Sequence, residues 1–344
     1  MTSLIRLFDE IGKTRIFNII NLTTSKKSLR TAIIEWSPEG YSVDVIGDND
    51  DNFTIYVKKE DKGGKARIIR NDTIYLAISD ESRDFIYNIL LGFFNQYYPD
   101  ISRIFYSSLE LKKVLEELEE KTKWEIIADK IVAYKRIPEE KRKPKRREVA
   151  VTYTERPFRE AFQAAIENDQ WIDKIKFRLL KENKEELSGY LSREGMFRCQ
   201  KNFSVFHETV LSDVAKIASE KIKLYGGRSR LEERKPKPVV IQFDFDIFKD
   251  RKQNRRLIDS LATLQFGSLS LYHSNPYVHL SLVDYLDGSS YDVWVLAFDK
   301  LTIVPQLRSS FASLARLLNH IFEKFGEGAV KDYEELEKLR ASHE

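Results

Sequence analysis

In FDFDIF (243–248), two aspartates, Asp244 and Asp246, are separated by one residue. Side chains on a strand alternate with period two. The carboxylates would then share one face, and Phe243, Phe245 and Ile247 would take the other. Hard cations such as Mg²⁺ take oxygen ligands, and paired acids can hold them for phosphoryl chemistry. The pair is a candidate metal site, and the bland alternative is a solvated strand face or partners for nearby arginines. Asp284, Asp287 and Asp292 are the nearby acids with strand or turn placement, and nothing in their spacing brings them to Asp244. The nuclease pattern of an acid followed by (Asp/Glu)-x-Lys is missed as well. Asp299 and Lys300 are adjacent, so their side chains would point to opposite faces.

Other chemistry is sparse. The five histidines, His207, His273, His279, His320 and His343, form no HxH or HExxH pattern. His273 and His279 flank a turn where they could converge, and His320 suits the rim of an amphipathic helix. Cys199 has no adjacent histidine and suits a buried thiol. The chain carries no GxSxG, Walker or GxGxxG motif, and Gly63-Gly64 reads as a turn between charged strands. No cofactor is expected, and a binding role leads over an enzymatic one.

Three basic islands favour a polyanion. Residues 135–147 carry a net charge of +6, residues 228–237 of +3 and residues 249–256 of +4. The whole chain has only +3, so the remainder is net acidic. Such islands suit a surface that follows phosphates. The candidate contacts are Lys141, Arg142, Lys143, Lys145, Arg146 and Arg147 in the first. Arg228, Arg230, Arg234, Lys235 and Lys237 belong to the second, and Arg251, Lys252, Arg255 and Arg256 to the third. Against this stands the reading of solvated linkers, since lysine, glutamate and proline are also linker residues. No aromatic residue can be assigned as a base-stacking platform from the sequence.

These residues need elements to hold them. The chain has 344 residues, 42% of them apolar and 12% aromatic, enough for two ordinary domains with cores. One cysteine excludes a disulfide framework and a cysteine-built zinc site, and fits a reducing compartment. The start, MTSLIRLFDEIGKTR, lacks a signal-peptide h-region, and FIYNILLGFF is too short to span a bilayer. A cytoplasmic protein without membrane insertion is expected.

The first third reads as an antiparallel meander. RIFNIINL, LRTAIIEW, YSVDVI, FTIYVK and TIYLAI are strand-like, and TSKKS, SPEG, GDNDDN and KEDKGGK separate them. Helices are expected over ESRDFIYNILLGFFNQYY and SSLELKKVLEELEEKTK, followed by a strand, WEIIADKIVAYKRI. After the linker at 135–147 come a helix over 156–169, a hairpin over 188–200 and a long helix over 204–225 stopped by Gly226-Gly227. The last third reads as FDFDIF, a helix over 253–265, four strands with a turn at Asp287-Gly288, and a helix started by Pro305. A charged helical tail, DYEELEKLRASHE, closes the chain.

The segment YVHLSLVDYLDGSSYDVWVLAFDKLTIVPQLRSSFASLARLLNHIFEKFGEG (277–328) resembles the end of the APAZ region found in proteins that partner short prokaryotic Argonautes. The likeness lies in the strand pair around the Asp-Gly turn and in the apolar strand leading to Pro305. It extends to Ser309-Ser310 at a helix start and to Phe325-Gly326-Glu327-Gly328 at its end. The stretch from WIDKIKFRLL to LSREGMFRCQKNFSVFHETVL is compatible with the same family. The resemblance implies an Argonaute N-L1-L2-like fold that completes a short partner made of MID and PIWI domains. It also implies a heterodimer that holds an RNA or DNA guide with its target strand, in defence against invading DNA. Many such proteins carry a fused Sir2, TIR or nuclease effector. The first 130 residues here show no Rossmann glycines, no βα alternation and no nuclease triad, so any effector would be a separate protein.

The expected architecture is α+β in three parts. These are an N-terminal antiparallel sheet domain with helices (1–134), a basic linker with a helical and hairpin middle (135–238), and a C-terminal sheet with a long amphipathic helix and charged tail (239–344). The expected function is a non-catalytic nucleic-acid-binding scaffold. The alternatives are a Mg²⁺-dependent nucleic-acid enzyme using Asp244 and Asp246, and a partner-docking protein that touches no nucleic acid.

Overall fold

Helix α1 (Thr2–Gly12) and strand β1 (Phe17–Thr24) open the fold, and Ser28 then sets the first departure from the expected meander. In the computed structural model, which describes residues 2–47, 49–136, 150–231 and 235–334, LRTAIIE (Leu29–Glu35) is a helix, α2. The Ser28 hydroxyl accepts the Thr31 amide at 3.0 Å and caps a first turn that a strand reading leaves out. Leu29, Ala32 and Ile33 then bury one face.

Strands β2 (Ser42–Ile46), β3 (Asn52–Lys59), β4 (Lys62–Asn71) and β5 (Ile74–Ser79) form the meander. Gly63 and Gly64 lie inside β4, not in a turn. A Cβ on Gly64 would fall 2.8 Å from the Phe85 ring, so this glycine permits a close approach of helix to sheet. That helix begins with a π-wound segment, Phe85–Leu90, and continues as α3 (Leu91–Gln96). Strand β6 (Ile101–Arg103) precedes α4 (Ser108–Thr122), whose start is a capping box between Ser107 and Glu110.

Next come β7 (Glu125–Lys135), β8 (Ala150–Tyr153), β9 (Arg156–Pro157) and α5 (Phe158–Glu167). They are followed by β10 (Gln170–Lys181), β11 (Lys184–Ser192) and β12 (Met196–Gln200). Helix α6 (Phe203–Phe206), a π-wound segment His207–Leu211 and α7 (Ser212–Tyr225) make one continuous helical run.

One twelve-stranded sheet gathers these strands in the order β2-β3-β4-β5-β1-β12-β11-β10-β7-β8, with β6 on β1 and β9 on β7. Its pairings are antiparallel. Strand β1 joins the halves, pairing Asn18 with Ser79 on one side and with Arg198 on the other. The α2, π-wound and α3 segments bury Phe85, Ile89 and Phe93 in one core with Ile20, Phe53 and Ile55 of the β1–β5 half. Helices α4 and α5 pack against β7 and β10, where Ile175, Phe177 and Leu179 are fully buried.

Two compact units result, and they do not follow the three expected segments. One unit holds residues 1–135 and 148–219, because the strands after residue 150 pair back into the N-terminal sheet. The other holds residues 136–147 and 220–344.

The second unit contains β13 (Val239–Gln242), α8 (Arg251–Ala262), β14 (Gly267–His273), β15 (Val278–Asp284), β16 (Ser290–Ala297), β17 (Lys300–Pro305), α9 (Phe311–Lys324) and β18 (Ala329–Asp332). The six strands run β14-β15-β16-β17-β13-β18, all antiparallel. Leu257 and Leu261 of α8 and Leu314, Leu318 and Ile321 of α9 bury one sheet face with Val278, Leu280, Val293 and Ile303.

Pro305 ends β17 and starts no helix. Ser310 caps α9 instead, its hydroxyl accepting the Ser313 amide at 3.0 Å. The Asp287-Gly288 turn is tied to that cap, since the Ser310 hydroxyl donates to Asp287 at 2.5 Å and Ser313 donates to Asp284 at 2.7 Å. Strand β18 was not expected, and residues 335–344 of the charged tail lie outside the described residues. No described helix is long and apolar enough to cross a membrane.

Candidate nucleic-acid interface

Alternation along β10 sends Lys174, Lys176 and Arg178 to one face and Ile175, Phe177 and Leu179 to the other. The strand register carries the polar face sideways. Lys176 pairs with Lys130 of β7 and with Tyr190 of β11, and Tyr190 pairs with Arg198 of β12. One row across four strands therefore reads Lys130, Lys176, Tyr190, Arg198. A register shift after Lys176 places Asp129 beside it, with ion pairs to Lys176 at 3.3 Å and to Arg178 at 2.5 Å.

This face forms the floor of a groove of about 450 Å³, and Arg83 and Tyr87 from the π-wound helix line it too. Five basic and two acidic side chains line the groove. The two acids are engaged, Asp173 with Lys174 at 3.0 Å and Glu194 with Arg103 at 2.6 Å. Arg83, Lys130 and Arg198 pair with no carboxylate among the described residues. Arg198 is held by rings. Its guanidinium lies 4.9 Å from the Tyr190 centroid and 5.8 Å from that of Tyr87, and its Nη2 donates to the Tyr87 hydroxyl at 2.8 Å.

Burial works against the Lys174 ammonium, but the hydrogen bond and charge of Asp173 outweigh it and hold the pKa above the usual lysine value. Burial and the neighbouring Tyr87 raise Tyr190, so its hydroxyl stays protonated. The groove therefore offers fixed cations and the neutral Tyr190 phenol, a combination that suits phosphate oxygens and sugar hydroxyls.

The residues expected from charge islands fare differently. Lys141, Arg142, Lys143, Lys145, Arg146, Arg147 and Arg234 lie outside the described residues. Arg228 is not a surface contact. It is 5% exposed, donates from Nε to the Leu224 carbonyl and from Nη1 to the Lys237 carbonyl at 2.7 Å, and pairs with Asp332 at 2.7 Å. Arg256 is half-buried over the Phe325 ring and donates to the Arg136 carbonyl at 3.3 Å. Both charges are spent on holding the second unit together. Arg230 and Lys235 are exposed, and Lys237 is half-buried. Arg251, Lys252 and Arg255 share the exposed side of α8, with Arg255 3.7 Å from Asp259.

FDFDIF is not a strand. Strand β13 stops at Gln242, and the Ile247 amide turns back to the Phe245 carbonyl at 2.7 Å. Phe243, Ile247 and Phe248 all enter the core, so they pull the chain off the alternating path. Asp244, Phe245 and Asp246 are then exposed in succession, and Asp246 pairs with Lys249 at 2.5 Å. Asp284 and Asp287 serve the α9 cap, and Asp292 accepts from Gln306 at 2.7 Å. Among the described residues no group of histidine, cysteine, aspartate and glutamate could hold a metal ion. His273 and His279 pair across β14 and β15, yet their rings stack on different partners, Tyr277 and Trp294.

Only one strand of the groove left a signal in the sequence. KIKFR (174–178) alternates basic and apolar residues with strand period and carries +3, but it is a short run flanked by Asp173 and Glu182, and Lys130, Tyr190 and Arg198 lie on other strands. No protein-family model matches the chain, and no curated protein matches it.

Proposed function

We propose that the chain is a non-catalytic nucleic-acid-binding scaffold that grips a phosphate backbone in the groove of the first unit. The observation that carries this reading is the row Lys130–Lys176–Tyr190–Arg198, in which three cations and one aromatic hydroxyl follow one another at about the 4.7–4.9 Å spacing of neighbouring strands. Backbone contacts of this kind position a strand without reading its sequence. The APAZ-like segment extends the proposal: a MID–PIWI partner would supply the rest of the channel, and base pairing between guide and target would supply specificity. The exposed cations of α8, with Arg230 and Lys235, are secondary contacts in this reading.

The test is binding of labelled single-stranded and duplex oligonucleotides to the full chain across a salt series, with the chain also purified from its host for bound protein and nucleic acid. Submicromolar binding that weakens steeply with salt supports the reading. Affinity that vanishes at physiological salt, with no nucleic acid co-purifying, removes it and leaves a docking protein.

A further inference from the structure

The second unit carries its own ring array. On the sheet face opposite α8 and α9, Trp294 of β16 stacks on His279 of β15, with centroids 3.5 Å apart and planes 14° apart. Tyr272 of β14 lies 4.8 Å from the same imidazole on its other side. Three adjacent strands thus present a continuous ladder, and Tyr272, the outermost ring, is 63% exposed. A core needs no such arrangement, because the apolar residues of these strands already point to the helix side.

Three further features bear on what the ladder takes. The His279 Nε2 is shielded from water and has no hydrogen-bond partner. A buried polar atom left unpaired is costly, so the packing of rings around it is kept at some expense of stability. One register step along, Ser270 faces Ser281, small hydroxyl residues that leave room beside the rings. The outer face carries both signs, and its acid, Asp292 opposite Ser281, accepts from Gln306 at 2.7 Å. Lys300 shares the outer face with Thr302, which pairs with Trp294.

We propose that the Tyr272–His279–Trp294 ladder is a stacking shelf for the unpaired bases of a single nucleic-acid strand, with Lys300 on the same face to meet a phosphate. Every base has a π face, so rings flanked by cations bind single strands with little regard for sequence. Paired bases inside a duplex cannot reach such a shelf. The proposal rests on the nucleic-acid reading above and adds a second, strand-selective site.

The experiment is fluorescence anisotropy of the full chain with oligodeoxythymidylate and with a duplex of equal length, comparing the wild type, Tyr272→Ala, Tyr272→Phe and Tyr272→Trp. Tyr272 is exposed, so its replacement leaves the core intact. Tyr272→Ala is expected to weaken the single strand by about tenfold and to leave the duplex and the salt slope unchanged, with Phe and Trp restoring affinity. Single-strand affinity unchanged in Tyr272→Ala, while the wild type binds, overturns the shelf and leaves the groove standing. Self-association lost in Tyr272→Ala with strand affinity unchanged assigns the face to a second copy and also overturns it. A wild-type chain that binds neither probe overturns both readings.

Discussion

The Arg198 guanidinium donates from Nη2 to the Tyr87 hydroxyl at 2.8 Å, linking β12 to the π-wound helix at the wall of the groove. It is flanked by the rings of Tyr87 and Tyr190 and meets no carboxylate among the described residues. A guanidinium held this way is fixed in place yet keeps its charge for a ligand. Arg228 shows the opposite use, with its charge closed off by Asp332 and three backbone carbonyls.

Lys130 and Lys176 sit directly opposite each other on the groove floor and are exposed. Replacing both by Gln removes two phosphate contacts without touching the core. The salt slope of oligonucleotide binding should flatten by ~1.4–1.8 log units per log unit of salt. A salt titration by anisotropy reads this directly, and an unchanged slope would clear the groove of the role.

Arg228→Met should cost about 3 kcal/mol of stability, because it removes the buried ion pair with Asp332 and the bonds to three backbone carbonyls. Arg230→Met, at an exposed site, should change stability by no more than about 0.5 kcal/mol. Urea unfolding of the two variants separates a structural arginine from a surface one. Equal stabilities would contradict the structural assignment of Arg228.

Replacing Asp244 and Asp246 together by Asn removes one exposed ion pair, Asp246 with Lys249, worth at most about 1 kcal/mol. Nucleic-acid affinity should be unchanged with and without Mg²⁺. Loss of a Mg²⁺-dependent cleavage in this variant would revive the enzymatic reading.

Gly189 pairs with Cys199 and lies under the Phe177 ring, which a Cβ would overlap. Gly189→Ala should destabilise by about 1–3 kcal/mol. Combined with Phe177→Leu, much of that loss should disappear. The double-mutant cycle by urea denaturation reads the coupling, and additive effects would show that the ring does not press on Gly189.

Burial lowers the pKa of His207 below its ordinary 6.5, only partly opposed by Glu208. The unfolded chain therefore takes up the proton first. This contribution to stability is full above pH 6.5 and is lost as pH falls through the depressed folded value. His207→Gln should flatten the fall in stability as pH drops below the ordinary histidine value. Urea midpoints that fall equally in both proteins would assign the slope to other groups.

The sequence alone determined much of the local structure. Period-two runs such as TIYLAI and YVHLSLVD became strands, and the Ser107–Glu110 capping box set the start of α4. These outcomes depend on neighbours a few residues away, which the sequence displays. It erred where local signals compete with capping or long-range packing. LRTAIIE follows its Ser28 cap into a helix, and FDFDIF bends because Phe243, Ile247 and Phe248 are all drawn to one core. What charges do was decided by tertiary structure alone. Arg228 and Arg230 are two residues apart and equally basic in sequence, yet one is enclosed and the other faces water. Lys130, Lys176 and the Tyr190–Arg198 hairpin are separated in sequence and meet only because strand register aligns them across β7, β10, β11 and β12. Register is a property of pairing between strands, so no single segment could disclose the groove.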